Sequence, residues 1–233
     1  MNLLAFDTST DTLSIAVARG PAQWDYRGPG AAQSSATLIP AIQQLLAQAE
    51  LALEQLDAIV FGRGPGSFTG LRTACAIAQG LALGAGAGRG LPVLPVDTLM
   101  AVAEEARQQH GCTHIVATLD ARMNEVYHGL YQWQDGLWQT PADFGLCYPE
   151  ALPVPEGWTV AGNAQAAYGS RLAAHAQHVQ AWPSASALLR LAPALLAAGA
   201  AAPADQALPR YVRDKVAKTT AEREAERAAL QQP

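Results

Sequence analysis

Residues 114–120 read His-Ile-Val-Ala-Thr-Leu-Asp, an apolar segment that ends in an acidic side chain before a polar turn. Residues 3–7 read Leu-Leu-Ala-Phe-Asp and are also followed by a polar turn. Each turn leads into a segment in which apolar and polar side chains alternate, the period of a half-buried strand. Strand, aspartate, turn and strand therefore occur twice, with Asp7 matching Asp120. This repetition predicts a duplicated fold.

Helical patterns separate the apolar strands in both halves of the chain, as is typical of the α/β class. Asp97 is predicted to cap the helix that follows it, and residues 164–174 are predicted to be helical. We place the boundary near residue 110, which gives an N-terminal lobe (1–110) and a C-terminal lobe (111–217). Residues 218–233 are charged and rich in alanine, and they are predicted to form a flexible tail.

The composition excludes several classes of protein. The chain has 233 residues, is 50% hydrophobic and carries a net charge of −5, so it has no overall positive field to attract nucleic acid. Its three cysteines are isolated, which argues against a disulfide scaffold or zinc ribbon and fits the reducing cytoplasm. The N-terminus lacks the basic region of a signal peptide, and every apolar run is too short to span a membrane.

Asp7, Thr8, Ser9 and Thr10 form the first polar turn, and they are candidates for a cofactor site. An aspartate at a strand end followed by hydroxyl side chains can hold a hydrated magnesium ion and a phosphate. The alternative is an ordinary hairpin turn, in which the same residue types are common. Both interpretations stay open at this stage.

Residues 62–72 read Gly-Arg-Gly-Pro-Gly-Ser-Phe-Thr-Gly-Leu-Arg and join a predicted strand to a predicted helix. The run is not a P-loop, because no Gly-Lys-Ser/Thr follows it, and it does not match the G-x-G-x-x-G pattern. Pro65 also removes one amide donor that an anion would need. Ser67 is placed to cap the helix.

Two predicted helices carry apolar stripes and would be neighbours if both cover the same face of a sheet. One interpretation is that they form half of a four-helix interface with a second protein, and the other is that the chain's own second lobe covers them. Because small side chains let helices approach closely, we expect a partner interface. Its predicted residues are Leu38, Ile42, Leu45, Ser67, Thr69, Leu71, Arg72, Ala74, Cys75 and Ala78.

The chain offers little for catalysis. His110 and His114 have H-x-x-x-H spacing, but Gly111 ends the helix between them, so the two imidazoles do not share a helix face. Cys75 lies among small residues and fits a packed thiol better than a nucleophile. No G-x-S-x-G motif is present. We therefore predict no catalytic residue, metal ligand or cofactor.

Six segments resemble the bacterial TsaB (YeaZ) family. They are residues 3–10, 62–72, 78–82, 95–99, 119–127 and 211–216, of which 62–72 is the most specific. The resemblance implies a two-lobed fold like that of actin, Hsp70 and sugar kinases, also called ribonuclease H-like. It also implies a subunit of the machinery that makes N6-threonylcarbamoyladenosine at position 37 of ANN-decoding tRNAs.

The resemblance further implies that the chain activates TsaD, a catalytic relative of similar fold that transfers the threonylcarbamoyl group. TsaD-like proteins carry an H-x-x-x-H metal pair at the position where this chain has Thr98 and Val102. The implied partners are TsaD as a heterodimer, the ATPase TsaE, and a second copy when TsaD is missing, with tRNA reached only through the complex and no membrane involved. The rival hypotheses are an ATP- and magnesium-dependent phosphotransferase that uses Asp7 or Asp120, and a metalloprotease.

Overall fold

Two β-sheets of the same strand order form the frame of the protein in the computed structural model, which describes residues 1–30, 34–85 and 90–213. The strands are β1 (Asn2–Asp7), β2 (Thr12–Arg19), β3 (Ala22–Pro29), β4 (Ala58–Gly64), β5 (Val93–Asp97), β6 (His114–Asp120), β7 (Val126–Gln134), β8 (Leu137–Gln139), β9 (Gly145–Cys147), β10 (Thr159–Gly162) and β11 (Gln177–Gln180). The helices are α1 (Ser34–Gln48), α2 (Phe68–Ala85), α3 (Thr98–His110), α4 (Ala164–Tyr168) and α5 (Ala185–Ala197). Short 3₁₀ turns cover Leu53–Gln55, Pro149–Ala151, Gly169–Arg171 and Ala204–Gln206.

The first sheet has the order β3-β2-β1-β4-β5, and the second has the equivalent order β8-β7-β6-β10-β11, with β9 paired to β7. In both, the first three strands are antiparallel and the last three are parallel. The predicted duplication is therefore confirmed, and so is the two-lobed α/β class. The β1–β2 and β6–β7 hairpins differ in length by one residue, because Asp7 pairs with Ser14 whereas Asp120 pairs with Val126.

The helices lie in layers on these sheets. Helices α1 and α2 cover one face of the first sheet, and α4 packs on one face of the second. Helices α3 and α5 lie between the sheets, where α5 packs against β1 and α3 packs against β6. Helix α5 therefore packs on the first sheet although it comes from the second half of the sequence. None of the helices in the described ranges is long and apolar enough to cross a membrane.

Two of the predicted helix ends differ from the structure. Asp97 precedes α3 as expected, but its carboxylate makes no capping bond and instead accepts hydrogen bonds from Arg63 (2.6 Å) and Arg210 (3.4 Å). The helix predicted over residues 164–174 ends early, because Gly169 adopts a φ of 55° after α4. The tail predicted over residues 218–233 lies outside the described residues.

Candidate docking surface and interlobe cleft

The glycine-rich turn packs directly onto the polar turn that follows β1. The Ser67 amide donates to the Ser9 carbonyl (2.8 Å), and the Thr8 hydroxyl donates to the Gly70 carbonyl (2.7 Å). A Cβ atom at Gly70 would lie 1.8 Å from the Thr8 carbonyl oxygen, and one at Gly66 would lie 2.5 Å from the Ser9 oxygen. Glycine is therefore needed here for close contact between two turns.

Asp7 lies beneath this contact and is 1% exposed. Its Oδ1 accepts hydrogen bonds from the Ser9 amide (2.9 Å) and the Ser9 hydroxyl (2.6 Å). Its Oδ2 lies against Gly62, where a Cβ atom would approach it to 1.8 Å. Burial raises the pKa of Asp7, and the hydrogen bonds from Ser9 offset only part of this effect.

This burial contradicts the phosphate-site hypothesis for Asp7 and Thr8, which are 1% and 0% exposed and are absent from the wall of the cleft between the lobes. A carboxylate sealed under the glycine-rich turn cannot ligate a hydrated magnesium ion, so the residues present do not fit the magnesium nucleotide of kinase-like folds. Ser9 and Thr10 do reach the edge of the cleft.

Replacement of Asp7 by asparagine tests this description. Because the raised pKa lets the native state bind more protons, the free energy of unfolding should fall as pH rises from about 4 through the native pKa. Asp7→Asn keeps an acceptor for Ser9 and has no charge to desolvate. We expect it to remove this pH dependence and to stabilise the protein at pH 8 by about 1 kcal/mol. Urea unfolding of both proteins at pH 5 and pH 8 measures the pH dependence and the stability difference. An Asp7→Asn protein less stable than the wild type at pH 8 would contradict the burial of a charged Asp7.

The cleft between the lobes has a volume of about 580 Å³, and both polar turns contribute to its walls. Asp120 lines it, but its Oδ1 accepts hydrogen bonds from the Tyr168 hydroxyl (2.7 Å) and the Arg122 amide (2.8 Å). The Arg122 guanidinium also pairs with Asp120 (3.1 Å) and reaches across to Asp11 (2.9 Å). The acidic groups of the cleft are thus already paired within the protein.

Most of the predicted partner-interface residues are buried in the protein's own core. Leu38, Ile42, Leu45, Ala74 and Ala78 are 0–4% exposed and pack with the first sheet in one cluster. Cys75 belongs to the same cluster and is 5% exposed, and burial raises the pKa of its thiol to about 11. Leu71 is also buried, at 1% exposed. The prediction is wrong for these seven residues, because the apolar stripes of α1 and α2 face the sheet. The second lobe does not cover them either.

Only Ser67, Thr69 and Arg72 of the predicted set are exposed. The outward face of α1 and α2, which we call the outer face, includes Thr69 and Arg72 together with residues that the sequence analysis missed. Its exposed members are Ile39, Pro40, Gln43, Gln44, Ala47, Thr69, Arg72, Ala76, Gly80, Leu83 and Gly84. Leu83 is 64% exposed and Ile39 is 42% exposed.

The outer face is unusual in its lack of charge. Helix α1 has 15 residues and helix α2 has 18, and Arg72 is the only charged residue in either helix. A solvated helix normally carries charged residues on its exposed side, whereas the cores of protein interfaces are depleted in charge. The absence of charge at the outward positions was the sequence signal that could have identified this surface.

Residues 199–213, which we call the C-terminal strap, contact the start of α2 and both lobes. Its Arg210 pairs with Asp97 of the first lobe (3.4 Å) and Asp143 of the second (2.6 Å). Tyr211 stacks on the Phe68 ring with centroids 4.7 Å apart, and its hydroxyl accepts a hydrogen bond from Arg72 (3.0 Å). The strap therefore fixes the start of α2 relative to the cleft.

Comparison with known proteins agrees with this architecture. Residues 30–152, which include both outer-face helices, match the family model described as "TsaD: tRNA N6-adenosine threonylcarbamoyltransferase". The Escherichia coli protein "tRNA threonylcarbamoyladenosine biosynthesis protein TsaB" is 32% identical over 93% of this chain and 96% of its own length. The chain belongs to the TsaB (YeaZ) family. This confirms the resemblance drawn from the motifs.

Other TsaB-family members support the assignment. The Haemophilus influenzae protein of the same description is 46% identical over 134 residues, a match that spans 54% of this chain and about half (52%) of that protein. The solved structure "YeaZ from Pseudomonas aeruginosa" superposes with a TM-score of 0.83 at 37% identity, covering 90% of this chain and 99% of that one.

Among the described residues, no group of three or more His, Cys, Asp or Glu side chains is placed to hold a metal ion. The resemblance sets Thr98 and Val102 at the positions of the metal pair implied for TsaD-like proteins, and both are 0% exposed. Val102 packs in the core between α3 and the second sheet. An isopropyl group and a buried hydroxyl do not replace two imidazoles as ligands for iron or zinc, so the donor set does not fit such a metal.

Proposed function

We propose that this chain is a non-catalytic docking subunit of the complex that installs N6-threonylcarbamoyl on adenosine 37 of ANN-decoding tRNAs. Its role is to bind a TsaD-type catalytic protein and hold it in its active form. The observation that carries the proposal is the outer face, a surface of two neighbouring helices with a single charged side chain. TsaB-family relatives named for tRNA threonylcarbamoyladenosine biosynthesis supply the biological context.

The outer face has suitable dimensions for such docking. Helices of 15 and 18 residues are about 22–27 Å long. Gly80 and Gly84 have no heavy atom within 4 Å of a built Cβ, so a partner helix can approach the backbone closely there. A specific complex buries roughly 800 Å² on each partner. A TsaD-type partner would present equivalent helices, because the TsaD model matches this chain across α1 and α2.

Membership in the TsaB family supports proposals for the remaining features of the assembly. The outer face pairs with a second copy when the TsaD-type protein is absent, and a TsaE-type ATPase binds the assembled heterodimer. The tRNA contacts the complex through its other subunits, since this chain has a net charge of −5. We place the complex in the cytoplasm, in keeping with three free cysteines.

The phosphotransferase alternative has less support. It requires Asp7 or Asp120 to hold a magnesium nucleotide, yet Asp7 is buried and Asp120 is paired with Arg122. The described lining of the cleft therefore offers no unpaired carboxylate to hold a magnesium nucleotide, because Asp11 and Asp120 both pair with Arg122.

Reconstitution of tRNA modification tests the proposal. The reaction contains tRNA, threonylcarbamoyl-adenylate, the TsaD-type and TsaE-type proteins, and this chain. We expect N6-threonylcarbamoyladenosine to form only when both this chain and the TsaD-type protein are present. Product formed by this chain without the TsaD-type protein would contradict the non-catalytic role, and an equal rate without this chain would contradict the activating role.

A further inference from the structure

A second cavity, of about 250 Å³, lies between α3, the β7–β8 hairpin and α5. It shares no lining residue with the interlobe cleft, and α1 and α2 do not contribute to it. Its apolar walls are formed by aromatic and aliphatic side chains from all three elements. They include Met100, Trp133, Trp138, Leu191 and Leu195.

A buried ion cluster forms the polar end of this cavity. Glu104 accepts hydrogen bonds from Arg107 (2.9 and 3.0 Å), from Arg190 (2.9 Å) and from the Trp138 indole (3.1 Å). Burial alone would raise the pKa of Glu104, but these hydrogen bonds together hold the pKa below its ordinary value. The neighbouring Glu105 accepts from Arg190 (2.9 Å) and from Ser184.

The arginine side chains of this cluster are more exposed than its glutamate side chains. The side chains of Glu104 and Glu105 are 2% and 5% exposed, whereas those of Arg107 and Arg190 are 27% and 30% exposed. Each arginine uses Nε and Nη2 to bind the glutamates. Nη1 of each arginine also carries N–H donors. Within the described part of the chain, neither Nη1 donates a hydrogen bond.

The Arg107 guanidinium is also held in place. It lies over the Trp133 ring, 4.1 Å from its centroid, and donates to Glu104 through Nε and Nη2. A guanidinium fixed in this way loses little freedom when it binds an anion. The cavity therefore combines two positioned guanidinium groups, whose charges are balanced by Glu104 and Glu105, with apolar walls.

We propose that this cavity binds a small monocarboxylate that has an aromatic or branched apolar body. The carboxylate accepts hydrogen bonds from the Nη1 groups of Arg107 and Arg190, and the apolar body lies against Trp133, Trp138 and Leu195. Charge-assisted hydrogen bonds supply orientation, and the indole rings supply the contact area. The site is independent of the docking role, because none of its residues lies on α1 or α2.

Phenylacetate is a suitable probe, and phenylacetamide is its uncharged counterpart of nearly equal size. We expect titration calorimetry with the full chain to give a dissociation constant of about 1 mM or below for phenylacetate and at least about 10-fold weaker binding of the amide. The absence of saturable phenylacetate binding would overturn the proposal. Equal affinities for the acid and the amide would overturn it as well.

A cavity-filling variant locates the site. Ala194 lines the cavity from an exposed position on α5, so Ala194→Phe should fill it without removing any group of the ion cluster. Ala197 is exposed on the same helix and does not line the cavity. We expect Ala194→Phe to weaken phenylacetate binding at least about 10-fold, whereas Ala197→Phe leaves it unchanged, with both variants melting near the wild-type temperature. Unchanged binding by a folded Ala194→Phe protein would overturn the proposal.

Discussion

Replacement of Ala76 by glutamate is expected to weaken binding of the TsaD-type partner at least about 100-fold. Ala76 lies on the outer face of α2 and is exposed in the isolated protein, so the variant should fold normally. In the proposed complex the new carboxylate would be removed from water, and an ion pair with Arg72, one turn earlier on the same helix face, does not offset a desolvation penalty of several kcal/mol. A 100-fold loss corresponds to about 2.8 kcal/mol. Titration calorimetry between the two purified proteins measures the effect.

The matched control is Ala197→Glu, the same change at an exposed position of α5, away from the outer face. It should leave the affinity unchanged. Ala78 does not provide a test of docking, because it is 0% exposed in the core and a glutamate there would unfold the protein. If Ala76→Glu binds the partner as tightly as the wild type, another surface mediates docking.

Replacement of Gly70 by alanine is expected to destabilise the protein by about 3 kcal/mol and to lower its melting temperature by roughly 5–10 °C. Alanine normally stabilises a helix relative to glycine. At Gly70, however, the added Cβ would lie 1.8 Å from the Thr8 carbonyl oxygen, and backbone atoms cannot move aside as a flexible side chain can. The two turns would have to separate.

Gly80 provides the matched control in the same helix. No heavy atom lies within 4 Å of its built Cβ, so Gly80→Ala should stabilise the protein by about 0.5–1 kcal/mol. Thermal unfolding of both variants gives the comparison. A Gly70→Ala protein as stable as the wild type would show that the glycine-rich turn does not seal Asp7.

The strand repeat was the feature that sequence predicted best. Buried strands ending in Asp7 and Asp120 are marked by mainly apolar runs, and the two sheets have the same order. Periodicity also located α1 and α2. Periodicity does not predict which way the apolar side of each helix faces, because an apolar stripe at helical spacing is the same whether it covers a sheet or a partner protein. Leu45 and Ala78 were therefore assigned to the wrong side of their helices.

The glycine-rich turn shows a second limit of sequence reasoning. Glycine permits close approach to any group, and the sequence does not say whether that group is a phosphate or another segment of the chain. Here Gly66 and Gly70 approach backbone oxygens of Ser9 and Thr8, which are far away in sequence. In the same way, Asp97 was expected to cap α3, yet it pairs with Arg63 and Arg210. Such tertiary contacts override local preferences.

The central claim is that the outer face binds a TsaD-type protein. The most direct test is the molar mass in solution, by light scattering, of this chain mixed with its TsaD-type protein at equal concentrations. We predict a single species with the mass of one copy of each. If the mixture contains only the two separate proteins, with no species of combined mass, the claim is contradicted.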